Sequence, residues 1–159
     1  MISQLLALLI LLLLSPFLVL ISILIMVSSG YPILFKQKRV GLSNKHFYLY
    51  KFKTMIDNTP DLATHLIDDP SKYYIKYGEI LRKLSLDELP QLYNIIIGDM
   101  KFIGPRPALY NQYDLIKLRT QYKIDSIKPG ITGLAQVNGR DKLSIEDKVK
   151  FDKYYLINK

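Results

Sequence analysis

An uncharged apolar segment near the start of the chain constrains the fold more than any other feature. The 23 residues from Leu5 to Val27 read LLALLILLLLSPFLVLISILIMV and include no charged side chain. This segment is too long and too apolar for the core helix of a soluble domain, and we expect it to lie in lipid. A secretory signal peptide is disfavoured, because the preceding MISQ carries no side-chain charge and the apolar segment is too long for an h-region.

The basic residues predict which side of the membrane the remaining chain faces. Lys36 is the first charged side chain, and 22 Lys plus Arg against 14 Asp plus Glu give a formal charge of +8. Several Lys and Arg follow the apolar segment within about 20 residues and none precedes it, so the positive-inside rule predicts a cytoplasmic soluble part. We therefore divide the chain into a membrane anchor at residues 1–30 and one domain at residues 31–159.

Composition excludes several kinds of chemistry. The chain has no cysteine, which excludes a disulfide framework, a thiolate zinc site and a cysteine nucleophile, and which fits a reducing compartment. The two histidines, His46 and His65, do not form an H-E-x-x-H motif. A zinc site with several imidazole ligands is therefore not expected.

A proline divides the apolar segment nearly in half. Pro16 is the twelfth of the 23 residues, where it removes the backbone hydrogen bond to the Leu12 carbonyl. The whole segment spans about 35 Å as a helix, whereas each arm reaches only about 17 Å, near the bilayer midplane. Two arrangements follow: a kinked helix that crosses, or a helix-break-helix that returns to the cytoplasmic side, with the Ser15 hydroxyl helping to satisfy the freed carbonyl. The residues alone favour crossing, because a lipid-exposed break is costly.

Two β-rich runs at residues 33–40 and 46–55 flank the sequence GLSNK, which predicts a β-hairpin with a loop of about five residues. Alternation in the second run places Lys51 and Lys53 on one face. Those lysines either protect an edge strand or form a pair that faces an anion.

The segment LRKLSLDELPQLYNIIIGDM contains two adjacent carboxylates. Ser85 and Glu88 have the spacing of a capping box, and a later glycine supplies a stop, which predicts a helix at residues 86–97 even though Pro90 falls inside it. Asp87 and Glu88 are either the acidic residues that any helix N-terminus prefers or a chemical pair beside nearby cations. The helix end and the cations are both expected to keep Asp87 ionised.

Two further segments are candidates for anion binding. Prolines on both sides of Arg106 in GPRP fix the backbone, which suits either a rigid turn or an anion clamp. The glycine-rich KPGITGLAQVNGRD at residues 128–141 can bring backbone N–H groups close to phosphate. A KH-type RNA module also contains GxxG, but Pro129 argues against the helical flanks that it needs.

Two other helices are predicted outside these motifs. Residues 108–126 show loose helical spacing through Leu109, Tyr113, Ile116 and Tyr122, which predicts one amphipathic helix near the membrane. Residues 61–67 suggest a short helix within a long loop.

Three segments occur in this order along the chain: LSLDELPQLYNIIIGDM, FIGPRP and KPGITGLAQVNGR. Together they strongly resemble the bacterial sugar-transferase family, the monotopic polyprenyl-phosphate phosphoglycosyl transferases. The resemblance runs from about Leu5 to Ile157. It implies an α+β, mainly helical fold, with a re-entrant membrane helix-break-helix followed by a small cytoplasmic domain that has a β-hairpin and amphipathic helices at the membrane surface. Under this resemblance Ser15 and Pro16 make the helix re-entrant, and the crossing alternative is given up.

The resemblance also implies an activity at the cytoplasmic face of the bacterial inner membrane. A sugar 1-phosphate would pass from a UDP-sugar to undecaprenyl phosphate with release of UMP, in an Mg²⁺-dependent first membrane step of glycan assembly. Asp87 would be the covalent nucleophile, and Glu88 would assist metal or proton handling. The implied phosphate-binding residues are Lys51, Arg82, Arg106 and Arg140. The expected partners are both substrates, membrane lipid and downstream glycosyltransferases, and not nucleic acid.

The chain departs from the family pattern in three places. It lacks a basic amphipathic lead-in, Val40 stands where the family has proline, and it ends at Lys159 soon after FDKYY, which predicts a shortened C-terminal end. Composition alone is also compatible with a second class of protein, a non-catalytic membrane-anchored basic module that binds anionic lipid or RNA.

Overall fold

The computed structural model describes residues 1–60 and 67–159, with the side chain of residue 141 left aside. The predicted short helix at residues 61–67 lies almost wholly outside these ranges. The α-helices are α1 (Ile2–Ser29), α2 (Gly78–Lys83), α3 (Gln91–Ile96), α4 (Tyr113–Gln121), α5 (Leu134–Val137) and α6 (Ile145–Asn158). The strands are β1 (Leu34–Val40), β2 (His46–Phe52), β3 (Lys101–Ile103) and β4 (Gly130–Thr132). Helices, with the 3-10 turns included, make up 54% of the described residues, which confirms the mixed and mainly helical class.

The long apolar helix α1 continues through Pro16 without interruption. Proline has no N–H to donate to the Leu12 carbonyl, but the Ser15 hydroxyl donates to that oxygen at 2.7 Å. The predicted break in the helix is therefore not seen, because the neighbouring serine satisfies the one backbone acceptor that the proline leaves without its donor. Among the described residues, α1 is the helix long and apolar enough to cross a membrane.

Both halves of α1 pack against the rest of the protein. In the first half, Ala7 is fully buried in a cluster that includes Ile95 of α3. In the second half, Ile25 is 1% exposed and shares a cluster with Phe52 of β2 and Leu81 of α2. Most of the other apolar side chains of α1 are exposed. The helix thus has one face on the domain along much of its length and another face available to lipid.

Strands β1 and β2 form the predicted antiparallel hairpin, with Val40 opposite His46 next to the loop. The other edge of β2 is covered by the fully buried Asn94, whose Oδ1 accepts from the Tyr50 N–H at 3.1 Å and whose Nδ2 donates to the Tyr48 carbonyl at 2.8 Å. A single amide side chain therefore replaces a third strand over two residues of this edge.

Lys51 in β2 and Lys53 just after it do not protect that edge. The Lys51 and Lys53 side chains are 13% and 6% exposed, and they pair with Glu88 and Asp57 respectively. Of the two alternatives for these lysines, the exposed edge guard is wrong, because the face that carries them turns towards the protein.

A second, parallel sheet, which the sequence analysis did not predict, joins β3 to β4. A Cβ added at Gly130 would overlap the Gly104 backbone nitrogen, and one added at Gly133 would overlap the Gly104 carbonyl oxygen. Since the Gly130 N–H also donates to the Pro105 carbonyl at 2.9 Å, it is used within the fold. These glycines permit close approach between two loops, so their predicted role of presenting N–H groups to phosphate does not apply to Gly130.

The predicted helix at residues 86–97 is in fact two elements. A 3-10 turn covers Leu86–Glu88, and α3 begins after Pro90 at Gln91. The capping box is wrong, because Ser85 has a left-handed backbone (φ 57°) and its side chain makes no cap hydrogen bond. Pro90 occupies the N-cap position of α3, where its missing N–H costs no intrahelical bond.

The amphipathic helix predicted at residues 108–126 is shorter than expected. Only Tyr113–Gln121 is helical, because Lys123 has a left-handed backbone (φ 59°) and begins a separate 3-10 turn. Leu115 is buried with Val149 of α6, whereas Tyr113 is 73% exposed. The inward face of α4 therefore includes the predicted Ile116 together with Leu115, and excludes the predicted Tyr113.

We predict that Gly130→Ala destabilises the protein by about 3 kcal/mol, at the upper end of typical overpacking costs, because its Cβ would collide with backbone rather than with a movable side chain. Thermal unfolding in a fixed detergent measures the change. Gly41→Ala is the matched control, since its Cβ meets Phe47 ring carbons at 3.1 and 3.3 Å and the Lys45 carbonyl oxygen only at 3.4 Å. Equal losses in the two variants would contradict the backbone-packing role of Gly130.

Candidate active site

The two adjacent carboxylates lie on a short turn between α2 and α3. Asp87 and Glu88 belong to the 3-10 turn Leu86–Glu88, and both side chains turn into the protein. Asp87 is 5% exposed, and the Glu88 side chain is 18% exposed. Buried carboxylates need partners, so the residues around them define the site.

Glu88 is held by two cations from distant parts of the chain. Arg106 grips it with both terminal nitrogens, Nη2 at 2.5 Å from Oε1 and Nη1 at 3.3 Å from Oε2. Lys51 Nζ lies 3.4 Å from Oε1. Burial alone would raise the pKa of the Glu88 carboxyl, but the hydrogen bonds and charge of Arg106, helped by Lys51, lower it to about 2. Glu88 is therefore a fixed negative charge.

The pKa of Lys51 is lower than that of an ordinary surface lysine. Burial, followed by the positive charge of Arg106, lowers the pKa of Lys51 from 10.5 to about 8, although Glu88 opposes that shift. Its ammonium group is charged at neutral pH and loses its proton in mildly alkaline solution.

The pKa of Asp87 is shifted in the opposite direction to that of Glu88. Burial is the main influence and raises the pKa of the Asp87 carboxyl; Lys51, Arg82 and Arg106 oppose the rise, and Glu88 adds to it. The sequence analysis expected a helix N-terminus to help ionise Asp87. Only the three-residue 3-10 turn Leu86–Glu88 begins there, and α3 starts at Gln91, so the effect of burial is not offset by the end of an α-helix.

Arg82 approaches the same carboxylate from α2. Its positive charge lowers the pKa of Asp87, which places the guanidinium in the electrostatic neighbourhood of the turn. Arg82 Nη1 also contacts Met55 Sδ at 3.2 Å, and the guanidinium lies 5.9 Å from the centroid of the Tyr74 ring. The aromatic and thioether contacts restrict where this arginine can point.

The GPRP loop that carries Arg106 is bonded at each of its four residues. The Gly104 N–H donates to the Thr132 carbonyl and the Pro105 carbonyl accepts from Gly130, both at 2.9 Å. Two arginine side chains complete the set: Arg119 donates to the Arg106 carbonyl at 2.8 Å, and Arg39 donates to the Pro107 carbonyl at 2.9 Å. The rigidity predicted from the two prolines thus has a tertiary component as well.

Arg140 is the one predicted site residue that the structure does not bring to this cluster. It is exposed, has a positive φ of 52° and begins the 3-10 turn Arg140–Lys142. Within the described ranges it forms no hydrogen bond or ion pair with Asp87 or Glu88. Its phosphate-binding role stays a prediction.

Several supporting residues were missed by the sequence analysis. Asn94 fixes the edge of β2 beside Lys51, Arg39 and Arg119 hold the GPRP carbonyls, and Asp152 accepts from Arg119. The signal for Asp152 was its place in FDKYY, an acidic residue between aromatic ones on the last helix. No local signal identified Asn94, because its partners are backbone groups more than 40 residues away.

Together, three cations and two carboxylates form a site with a net positive charge. Lys51, Arg82 and Arg106 all act on the pKa of Asp87, and Glu88 neutralises part of their charge. A buried carboxylate beside excess positive charge suits a ligand that brings phosphate next to a nucleophile.

The donor set also bears on metal binding. Within the part of the chain that the structure describes, no group of three or more His, Cys, Asp or Glu side chains is placed to hold a metal. Mg²⁺ commonly binds through one or two protein carboxylates and completes its shell with substrate phosphates and water. The Asp87–Glu88 pair fits an ion shared with a phosphate ligand and does not fit an all-protein metal cage.

Comparison with known proteins places the chain in a family. Residues 1–159 match the family model described as bacterial sugar transferase. The uncharacterized sugar transferase EpsL of Bacillus subtilis (strain 168) is 46% identical over 129 residues, which cover 81% of this chain and 62% of that protein.

Two relatives carry names that state an activity. The UDP-glucose:undecaprenyl-phosphate glucose-1-phosphate transferase of Escherichia coli (strain K12) is 39% identical over 160 residues, 95% of this chain and 34% of that protein. The UDP-N-acetylgalactosamine-undecaprenyl-phosphate N-acetylgalactosaminephosphotransferase of Aeromonas hydrophila is 35% identical over 150 residues, 91% of this chain and 35% of that protein.

The matched part of this chain therefore covers 62% of the first of these relatives and about one third of the other two. Because the family model matches its full length and the relatives are at least 35% identical to it, the chain belongs to the bacterial sugar transferase family.

Proposed function

We propose that this chain transfers a sugar 1-phosphate from a UDP-sugar to undecaprenyl phosphate and releases UMP, as a first membrane step of bacterial polysaccharide assembly. Relatives with names of this kind support the reaction class. The observation that carries the proposal is the turn with Asp87 and Glu88, where a buried carboxylate faces three cations from other segments.

The proposed chemistry has two displacements at one phosphorus. First, an Asp87 carboxylate oxygen attacks the β-phosphorus of the UDP-sugar, the bond from that phosphorus to the bridging oxygen breaks, and UMP leaves with that oxygen and its electron pair. Next, a phosphate oxygen of undecaprenyl phosphate attacks the same phosphorus and the bond to Asp87 breaks. The carboxylate is regenerated, a lipid diphosphate sugar is formed, and no oxidant or reductant is needed.

The surrounding residues have separate tasks in this scheme. Lys51, Arg82 and Arg106 offset the charge of the diphosphate, which would otherwise repel a carboxylate nucleophile. Glu88 keeps Arg106 and Lys51 in place, because it accepts from both. Arg140 is assigned a further phosphate contact on the family resemblance alone.

Mg²⁺ is the proposed cofactor, with Asp87 and Glu88 as the protein ligands. When bound, it would neutralise phosphoryl oxygens and polarise the phosphorus towards attack. The two-carboxylate donor set described above supports this assignment.

We also propose that α1 bends at Pro16 while it stays helical, and that it enters the inner membrane and returns to the cytoplasmic face, so that the domain lies at headgroup level. Gln4 Nε2 donates to the Ile96 carbonyl at 3.0 Å near one end of α1, and Ile25 is buried in the domain near the other. The helical rise between these residues is about 32 Å, close to the hydrocarbon thickness. A crossing helix would put its two ends on opposite sides, where one polar domain could not contact both. Contact at both ends supports placement on one side.

A non-catalytic basic module is the competing function. Such a module presents its cations outwards to anionic lipid or RNA. Here the Lys51 side chain is 13% exposed, and the Arg106 side chain pairs with the partly buried Glu88 and is not directed to an outside ligand. The inward orientation of these cations favours an active site.

The first prediction concerns the nucleophile. Asp87→Asn should abolish UMP release from a UDP-sugar with undecaprenyl phosphate and Mg²⁺ in lipid nanodiscs, because the amide cannot attack phosphorus, while membrane association is retained. Asp114→Asn is the control, since Asp114 is an exposed residue of α4. A rate unchanged in Asp87→Asn would remove Asp87 from the nucleophile role. Absence of release from the wild-type chain would favour the binding module.

The second prediction concerns pH. As pH rises through about 8, Lys51 loses its proton, and kcat/KM for the UDP-sugar should fall because one cation no longer offsets the diphosphate. Lys51→Arg keeps its charge, so its alkaline decline should begin at higher pH. Lys53 lies just after the same strand but pairs with Asp57, so Lys53→Arg should keep the wild-type decline of kcat/KM at alkaline pH. If kcat/KM falls over the same pH range in wild type and in Lys51→Arg, the decline belongs to another group.

The third prediction concerns topology. Because the chain has no cysteine, Ser3→Cys introduces a unique thiol at the start of α1. In intact cells this thiol should resist a membrane-impermeant maleimide and react after permeabilisation. The exposed domain variant Lys72→Cys is the cytoplasmic reference. Labelling of residue 3 but not residue 72 in intact cells would show that the helix crosses.

A further inference from the structure

We infer that Asp152, acting through Arg119, is a positioning residue for Arg106. The consequence for catalysis rests on the proposed function, whereas the positional claim does not. Asp152 lies on α6 and Arg119 on α4, and neither is assigned to the site by the sequence motifs around the Asp87–Glu88 turn.

The Asp152–Arg119 pair is buried and well bonded. Arg119 Nε and Nη2 donate to Asp152 Oδ2 at 3.0 and 2.7 Å. The side chains are 11% and 2% exposed for Arg119 and Asp152 respectively. A buried pair of this kind adds little net stability compared with apolar packing, and its effect here is to fix the orientation of the Arg119 guanidinium.

The remaining arm of Arg119 reaches the active-site loop. Its Nη1 donates to the Arg106 carbonyl at 2.8 Å. Asp152 fixes two nitrogens of the planar guanidinium, and so sets the direction of the third. The chain of contacts then runs from Asp152 through Arg119 to the Arg106 backbone, and from the Arg106 side chain to Glu88.

The bond from Arg119 acts directly on the Arg106 carbonyl, between the two prolines of the loop. Pro105 and Pro107 restrict the loop but have no N–H groups to donate. Removing the bond from Arg119 would let the Arg106 peptide rotate, and a small rotation at the backbone is enlarged at the tip of this long side chain. We expect the Arg106 guanidinium to move away from Glu88 while the rest of the fold is retained.

The kinetic test is a double-mutant cycle on the full chain in nanodiscs. Asp152→Asn should lower kcat/KM for the UDP-sugar by at least about tenfold, and should lower it by less than about twofold when Arg106 is already Lys. Asp152→Glu, which keeps the carboxylate, should recover part of the loss. Asp147→Asn is the matched control, because Asp147 is on α6 in an exposed pair with Lys150. Losses that multiply in the double variant would overturn the inference.

Arg119→Lys provides a second route if Asp152→Asn does not fold. Lysine keeps the positive charge but lacks the planar fork that joins Asp152 to the Arg106 carbonyl. It should show the same loss and the same non-additivity with Arg106→Lys. Multiplicative losses here would also contradict the inference.

A spectroscopic measurement separates this inference from the proposed function. The chain has five arginines, so selective ¹⁵Nε labelling gives five signals, which single Arg→Lys variants assign. Asp152→Asn should shift the signals of both Arg119 and Arg106, and Asp147→Asn neither. A shift confined to Arg119 would overturn the positioning role. If both signals shift in Asp152→Asn but the wild-type chain releases no UMP, the positioning role is retained and the proposed function is rejected.

Discussion

The ion pair between Glu88 and Arg106 is the interaction on which the site depends. It joins the turn after α2 to the GPRP loop, and Lys51 brings the β-hairpin to the same carboxylate. Three segments that are remote in sequence therefore meet at one side chain. Because this cluster is partly buried, replacing Glu88 would remove the carboxylate that Arg106 and Lys51 share, which is more costly than losing a surface pair. Glu88 thus serves first as the residue that assembles the cations of the site.

Two neighbouring carboxylates acquire different properties from their surroundings. The pKa of Glu88 is lowered to about 2, with Arg106 and Lys51 overcoming the effect of burial, whereas burial prevails at Asp87 and raises its pKa. The difference follows from hydrogen bonding, since Arg106 grips Glu88 with two nitrogens. A carboxylate with a raised pKa is the more basic one, and in the proposed reaction it is the nucleophile. The permanently charged neighbour holds the cations in place while the nucleophile changes its bonding.

Sequence patterns correctly predicted the elements that depend on neighbouring residues alone. The hairpin followed from alternation and a five-residue loop, and the apolar helix from length and composition. The helix expected at residues 86–97 failed because the left-handed Ser85 and the proline at the N-cap of α3 divide it. Motif resemblance selected Asp87, Glu88, Lys51 and Arg106, which the structure brings together, but no spacing rule could reveal that Asn94 caps β2 or that Arg119 supports a carbonyl. Those contacts depend on how separate elements pack.

The position of α1 connects the anchor to the chemistry. Leu86 and Leu89, on either side of the Asp87–Glu88 pair, pack against the same cluster as Ile21 and Ile25 of α1. The first half of α1 meanwhile packs on α3, which follows the turn. The apolar helix is therefore part of the wall that supports the carboxylates. With α1 held in lipid as proposed, its contacts would set the depth of Asp87 relative to the headgroups, because the turn cannot move away from the membrane without exposing these apolar side chains to water. A lipid-linked acceptor could then reach the nucleophile without leaving the bilayer.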